Sequence, residues 1–177
     1  MRTVILVYSR GGRSLATARA LSARCGAEIR QILCPRYDGR LGWFRAWADL
    51  FTGHSPDITV TPDIGPADLL ILGGPIWAGR LAAPLRKAME QADRLPPVVG
   101  VFVTRMRDGS TLMLDADLRH LSQSGISPET RLPLLSLLRG DATADLARKA
   151  MDRFCATLAP LLSRRPLPAL TLSFRAA

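Results

Sequence analysis

TVILVYSRGGRSLATARALSARCG, residues 3–26, decides the architecture. Its first six residues, TVILVY, form a continuous, β-branched apolar run with the length of a strand buried on both faces. Residues 9–14 break that pattern by placing two glycines between two arginines. From Ser14 to Cys25, Leu15, Ala18, Ala20 and Leu21 supply the buried side of a helix, and Gly26 stops it. A buried strand that passes through a glycine loop into an amphipathic helix is the opening unit of a parallel α/β sheet.

The rest of the chain repeats the alternation. AEIRQIL (27–33), ADLLILGG (67–74), VVGVFVT (98–104) and RLPLLSLL (131–138) read as further strands, the last suited to an edge because Pro133 interrupts it. Helices are predicted over 80–92, with Pro84 tolerated in the first turn, over 111–123 and over 141–162. One more is predicted over 41–52, where Trp43, Trp47 and Phe51 lie at i, i+4 and i+8; it either packs on the domain or covers a site, and the stripe is assigned to the core in preference. The expected fold is therefore a three-layer α/β domain with a doubly wound, five-stranded parallel sheet in the order 2-1-3-4-5, spanning residues 1–165. Residues 166–177, broken by Pro166 and Pro168, are expected to form an extended arm.

Bulk properties exclude several classes. With 177 residues and 47% hydrophobic content, the chain can bury a sizeable core. No apolar run approaches the roughly 20 residues that span a bilayer. The opening run is too short for a secretory leader, so a cytoplasmic protein is expected. Cys25, Cys34 and Cys155 fit no metal-binding spacing, and His54 and His120 stand alone, so no metal is expected. The net charge of +9 comes almost wholly from arginine and favours anionic ligands and acidic partners. These arginines are dispersed and have no interleaved aromatics, which disfavours nucleic-acid binding. Oligomeric state is not legible; the 43–51 stripe or the C-terminal arm would serve a homodimer if one forms.

In an open sheet of this kind, ligands bind beyond the carboxyl ends of the strands, where strand order reverses. Three loops leave those ends: 8–14, 74–80 and 104–110. The first joins a strand to a helix N-terminus, whose free N–H groups and partial positive charge attract anions. Gly11 and Gly12 permit close backbone approach, Ser9 and Ser14 add hydroxyls, and Arg10 and Arg13 add charge. The loop is neither a GK[ST] nor a GxGxxG motif; phosphate cradle and plain glycine turn both remain open. The second loop, GGPIWAGR (73–80), carries Trp77 between Pro75 and Gly79. It is either a platform for a flat ligand or a residue folded into the core.

Together these loops resemble those of the flavodoxin-like superfamily. Ser9-Arg10-Gly11-Gly12-Arg13-Ser14 resembles the phosphate loop for flavin mononucleotide (FMN), written [ST]-x-T-G-x-[ST]. Pro75-Ile76-Trp77-Ala78-Gly79-Arg80 resembles the P-x-W-x-G-R stretch beside the flavin ring. YDGRLGWFRAWADLFTGHSPDI (37–58) resembles a segment of short flavodoxin-family proteins of unassigned activity. The resemblance covers essentially the whole chain. It implies an FMN-binding redox protein, either an electron carrier working with a partner protein or a small reductase passing electrons from a nicotinamide cofactor to a quinone or other small acceptor. It further implies that residues 9–14 hold the phosphate, that Pro75, Ile76, Trp77, Ala78 and Gly79 flank the ring, and that Thr104, Arg105, Met106 and Arg107 meet its polar edge. Two departures stand out. Gly11 replaces the usual threonine, and the third loop is arginine-bearing where the family is often glycine-rich. The alternative implied by both is a flavodoxin fold with lost or altered FMN binding, serving as a binding or regulatory protein. No residue is singled out as a catalytic acid or base.

Overall fold

The computed structural model describes residues 1–62, 64–91, 96, 98–105, 134–138, 145–162 and 170–172. In chain order the elements are β1 (Thr3–Tyr8), α1 (Arg13–Cys25), β2 (Glu28–Leu33), a 3-10 turn at Pro35–Tyr37, α2 (Gly42–Thr52), β3 (Thr59–Thr61), β4 (Gly65–Ala67), β5 (Leu69–Trp77), β6 (Arg80–Leu81), α3 (Ala83–Gln91), β7 (Val98–Arg105), β8 (Leu134–Leu138), α4 (Asp145–Leu162) and β9 (Leu170–Leu172). The expected helix over 111–123 and strand residues 131–133 lie outside the described residues.

The sheet grows outward from β1, whose six residues are all buried. β1 pairs in parallel with β2 on one side and β5 on the other, which puts Ile5 between Ile29 and Ile71. β7 and β8 continue the parallel pairing beyond β5. The five parallel strands run β2-β1-β5-β7-β8, which by chain position is second, first, third, fourth, fifth.

Strand alternation divides the core in two. Val4, Leu6, Tyr8, Leu70, Leu72, Val101 and Val103 pack on one face with Leu85 and Ala88 of α3. Ile5, Val7, Ile71 and Phe102 pack on the other with Ala18 and Leu21 of α1 and Met151, Phe154 and Leu158 of α4. Both faces are covered, which is why the strands read as unbroken apolar runs. Close packing requires glycine at Gly73: a Cβ there would sit 2.0 Å from the Phe102 ring.

Two expectations need correction. The sheet is wider than five strands, because β3 joins β2 antiparallel at the edge and β6 folds back on β5. Thr59–Thr61 is short and polar, so no apolar run marks it; the free edge of β2 recruits it. β5 also runs past residue 74 to take in Pro75, Ile76 and Trp77. A two-residue turn makes this possible: Ala78 and Gly79 have φ of 46° and 83°. Positive φ at both positions gives a turn whose twist matches its flanking strands. Trp77 then pairs with Arg80 and Ile76 with Leu81. Near the C-terminus, β9 pairs antiparallel with β4.

Among the described residues, no helix is long and apolar enough to cross a membrane. Nor does any group of three or more His, Cys, Asp or Glu side chains come together among them to hold a metal ion.

Candidate functional site

The carboxyl ends of β1 and β5 lie side by side at the point where the chain reverses its winding direction. α1 starts there directly from the β1 loop. Its N-cap is Gly12, with φ 77°, and no side chain caps the helix. The first capping bond runs from the Ala16 N–H to the Gly12 carbonyl at 2.9 Å. The amides of Arg13, Ser14 and Leu15 therefore lack an i−4 acceptor within the helix. No acidic side chain occupies the first turn. A Cβ built on Gly11 or Gly12 would meet nothing within 4 Å, so the loop leading to these amides is open beside both glycines. Uncapped amides, the positive helix end and an open approach suit an anion the size of a phosphate.

A cavity of about 610 Å³ extends from this loop, within the ~300–1,000 Å³ typical of small-molecule sites. The structure brings together around it Ser9, Arg10, Gly11, Arg13 and Ser14 of the first loop, Pro75, Ile76, Trp77, Ala78 and Gly79 of the β5–β6 hairpin, and Thr104 and Arg105 at the end of β7. Gly12 shapes the loop from the cap position without lining the cavity. Met106 and Arg107 lie outside the described residues. The Ser14 and Thr104 hydroxyls are hydrogen-bonded at 2.7 Å, which ties the first loop to the third.

The arginines have distinct positions. Arg10 donates from Nε to the Tyr37 carbonyl at 2.9 Å and from Nη2 to the Gly39 carbonyl at 3.1 Å. It clamps the 37–39 segment against the first loop. Arg105 donates from Nε to the Ser136 hydroxyl at 3.0 Å, across to β8. Arg13 is exposed at the first turn of α1, where its charge reinforces the helix end.

Trp77 is half-buried. Its ring meets the rings of Tyr8 and Tyr37 at 5.7 Å each and of Trp43 at 6.2 Å, all edge-to-face. These contacts fix the ring within the cavity lining.

The fourth wall is α2, through Trp43, Ala46, Trp47 and Leu50; covering a site, the less favoured of the two roles expected for this helix, is the one the structure shows. The aromatic stripe assigned to the core is instead largely exposed along the cavity and solvent, with Trp47 stacked on Phe51 at 5.8 Å. The buried side of α2 is Gly42, Ala46 and Asp49. Two small residues seat the helix closely: a Cβ on Gly42 would lie 1.8 Å from the Tyr37 carbonyl oxygen. That spacing of small residues was the available signal. Large apolar groups on most of the remaining circumference cannot all be buried by one neighbour.

Asp49 locks this wall in place. Arg36 grips its carboxylate with two hydrogen bonds, Nε to Oδ2 at 2.7 Å and Nη2 to Oδ1 at 2.8 Å. The guanidinium holds the Asp49 carboxyl below the ordinary aspartate range, against the opposing effect of burial. Burial first, and then the same carboxylate, raises the pKa of the Tyr37 hydroxyl, which is buried without a well-formed hydrogen bond of its own. Burial pushes the Cys34 thiol up to about 11, leaving it protonated and inert at neutral pH.

No family model and no curated protein matches this sequence. Solved structures do match its fold. A flavoprotein from Lactobacillus acidophilus NCFM, crystallised in complex with FMN, aligns with a TM-score of 0.57 at 19% identity, over 82% of this chain and 97% of that one. Flavodoxin 2 from Bacillus cereus aligns with a TM-score of 0.59 at 14% identity, over 91% and 99%. A proposed flavoprotein from Bacteroides eggerthii DSM 20697 gives 0.66 at 18%, over 92% and 99%. The order of the parallel strands, the helices on both faces and these alignments agree: the chain has the flavodoxin-like fold.

Proposed function

We propose that the protein binds FMN and serves as a redox protein. The observation that carries this reading is the uncapped, glycine-lined N-terminus of α1 opening directly into the aromatic-walled cavity. An anion and a flat apolar ring have adjoining places there, as a flavin nucleotide requires. The amides of Arg13, Ser14 and Leu15 would receive the phosphate, with Ser9 and Arg13 beside it. Trp77 from the hairpin and Trp43 and Trp47 from α2 supply apolar walls for the ring. Bound FMN would supply the capacity to accept and pass on electrons.

The chain's own residues set the conditions for that chemistry. Apolar walls exclude water from one part of the cavity, while Thr104 and Arg105 present polar groups at another. Acidic surroundings disfavour an anionic reduced ring; Arg10, Arg13 and Arg105 give this site the opposite bias. Such a site suits transfer of electron pairs to a small acceptor as well as traffic with a redox partner protein.

The visible absorption spectrum of purified protein, taken before and after adding excess FMN and dialysing, tests this reading. Retained flavin absorbance is the expected result. A folded protein that retains none would overturn it and favour a binding or regulatory role for the fold. Arg10 is already engaged by two carbonyls and Gly11 brings no hydroxyl, so the helix amides must carry most of the phosphate affinity.

A further inference from the structure

α2 presents a second apolar stripe that faces away from the cavity lining. Leu41, at its N-cap, and Phe44, Ala48 and Phe51 follow one another at spacings of three, four and three residues, which aligns them along one side of a helix. None is buried: Leu41 is 61% exposed, Phe44 75% and Phe51 79%. Large apolar groups clustered in this way on a surface mark an interaction site.

The surrounding charge narrows the occupant. Arg40 and Arg45, both exposed, flank the start of the stripe. Neither forms a salt bridge among the described residues. The exposed carboxylate of the 35–52 segment is Asp38; its other carboxylate, Asp49, is buried against Arg36. A second copy of the chain would bring arginines against arginines, in a protein that already carries a net charge of +9. The partner is therefore anionic. Its form follows from the shape of the stripe. Phe44 and Phe51 are open to solvent on their outer sides, and the Trp47 ring backs Phe51. A helix that exposes Leu and Phe along one side with Arg beside them has the composition of an interfacial membrane helix.

We propose that α2 docks the protein on an anionic lipid surface. Leu41, Phe44 and Phe51 enter the boundary between headgroups and acyl chains, and Arg40 and Arg45 meet lipid phosphates. Trp47 stacks on Phe51 and also lines the cavity, so the docked face borders the mouth of the site. This docking does not depend on what the cavity holds.

Co-sedimentation of the full chain with vesicles tests the proposal. One vesicle set is phosphatidylcholine alone, and the other contains one-third phosphatidylglycerol. Wild type is expected to pellet with the anionic vesicles and to shift its tryptophan emission to shorter wavelength. The double variant Phe44→Ser with Phe51→Ser should lose about tenfold or more in affinity. Both positions are exposed, so its circular dichroism and thermal midpoint should match wild type. Failure to pellet at low salt would overturn the proposal. So would full binding by the double variant, which would reduce the effect to general basic attraction. A concentration-dependent dimer abolished by the same variant would assign the face to a second copy. A Phe44-dependent response to soluble polyglutamate, with none to vesicles, would assign it to an acidic protein.

Discussion

The first loop and α2 face each other across the same cavity and are built on opposite principles. The loop is made of backbone: its offering is a row of amides, and its side chains matter chiefly by being small or absent. α2 is made of side chains: its backbone is ordinary helix, while Trp43, Trp47 and Leu50 form the wall. A site of the first kind is written in the sequence as glycine at a strand-to-helix junction. A site of the second kind depends on what the rest of the fold leaves uncovered.

The sharpest way to break the wall without touching the loop is Gly42→Ala. A methyl group 1.8 Å from the Tyr37 carbonyl oxygen cannot be accommodated by rotating a side chain, because the obstacle is backbone. The expected cost is about 3 kcal/mol or more, read as a lower denaturant midpoint together with a red shift of tryptophan emission. By contrast, Gly11→Thr should leave the midpoint nearly unchanged. Gly11 lies outside the positive-φ region and a Cβ there meets nothing within 4 Å. If FMN binds as proposed, the added hydroxyl contributes one hydrogen bond to a charged group, roughly 1.5–3 kcal/mol. Titration with FMN should then show about ten- to a hundredfold tighter binding. Equal affinities for the two proteins would remove the phosphate from the position next to Gly11.

The same contrast explains what was legible in advance. β1, β5 and β7 are buried on both faces, so their apolar runs declared them, and the helices that cover them showed matching periodicity. The parallel order followed from the alternation. The first loop was legible because Gly11 and Gly12 have a local reason to be there. β3 escaped notice because Thr59–Thr61 carries no apolar signal and pairs only because β2 has a free edge. Trp77 was read as loop because the Ala78–Gly79 turn that extends β5 requires positive φ at an alanine, which nothing in the sequence advertises. The stripe on α2 has the same periodicity whether a core or a cavity lies opposite. Only Gly42 and Ala46, marking the side that packs closely, distinguished the two.

The wall should also respond to acid, and the sign follows from Arg36. The guanidinium lowers the folded-state pKa of Asp49 below its unfolded value. The pair therefore contributes stability that is fully present above the unfolded pKa and is lost as pH falls through the folded one. Tryptophan emission followed downward from neutral pH should report loosening of α2 below the ordinary aspartate range, and Asp49→Asn should abolish that transition. A transition unchanged in Asp49→Asn would assign the acid sensitivity to another carboxylate.

Tyr37→Phe is the smallest expected effect and separates the two candidate fastenings of the wall. The tyrosine is fully buried and contributes its ring to Trp77 and its carbonyl to Arg10. Phenylalanine keeps both. What it removes is a buried hydroxyl without a well-formed partner, and such a group gains the protein little. Stability should change by no more than about 0.5 kcal/mol, and the acid transition should persist. A loss several times larger, together with a shifted acid transition, would mean that the hydroxyl shares with Arg36 the work of holding Asp49, and that α2 is fastened through the ring system as well as through the ion pair.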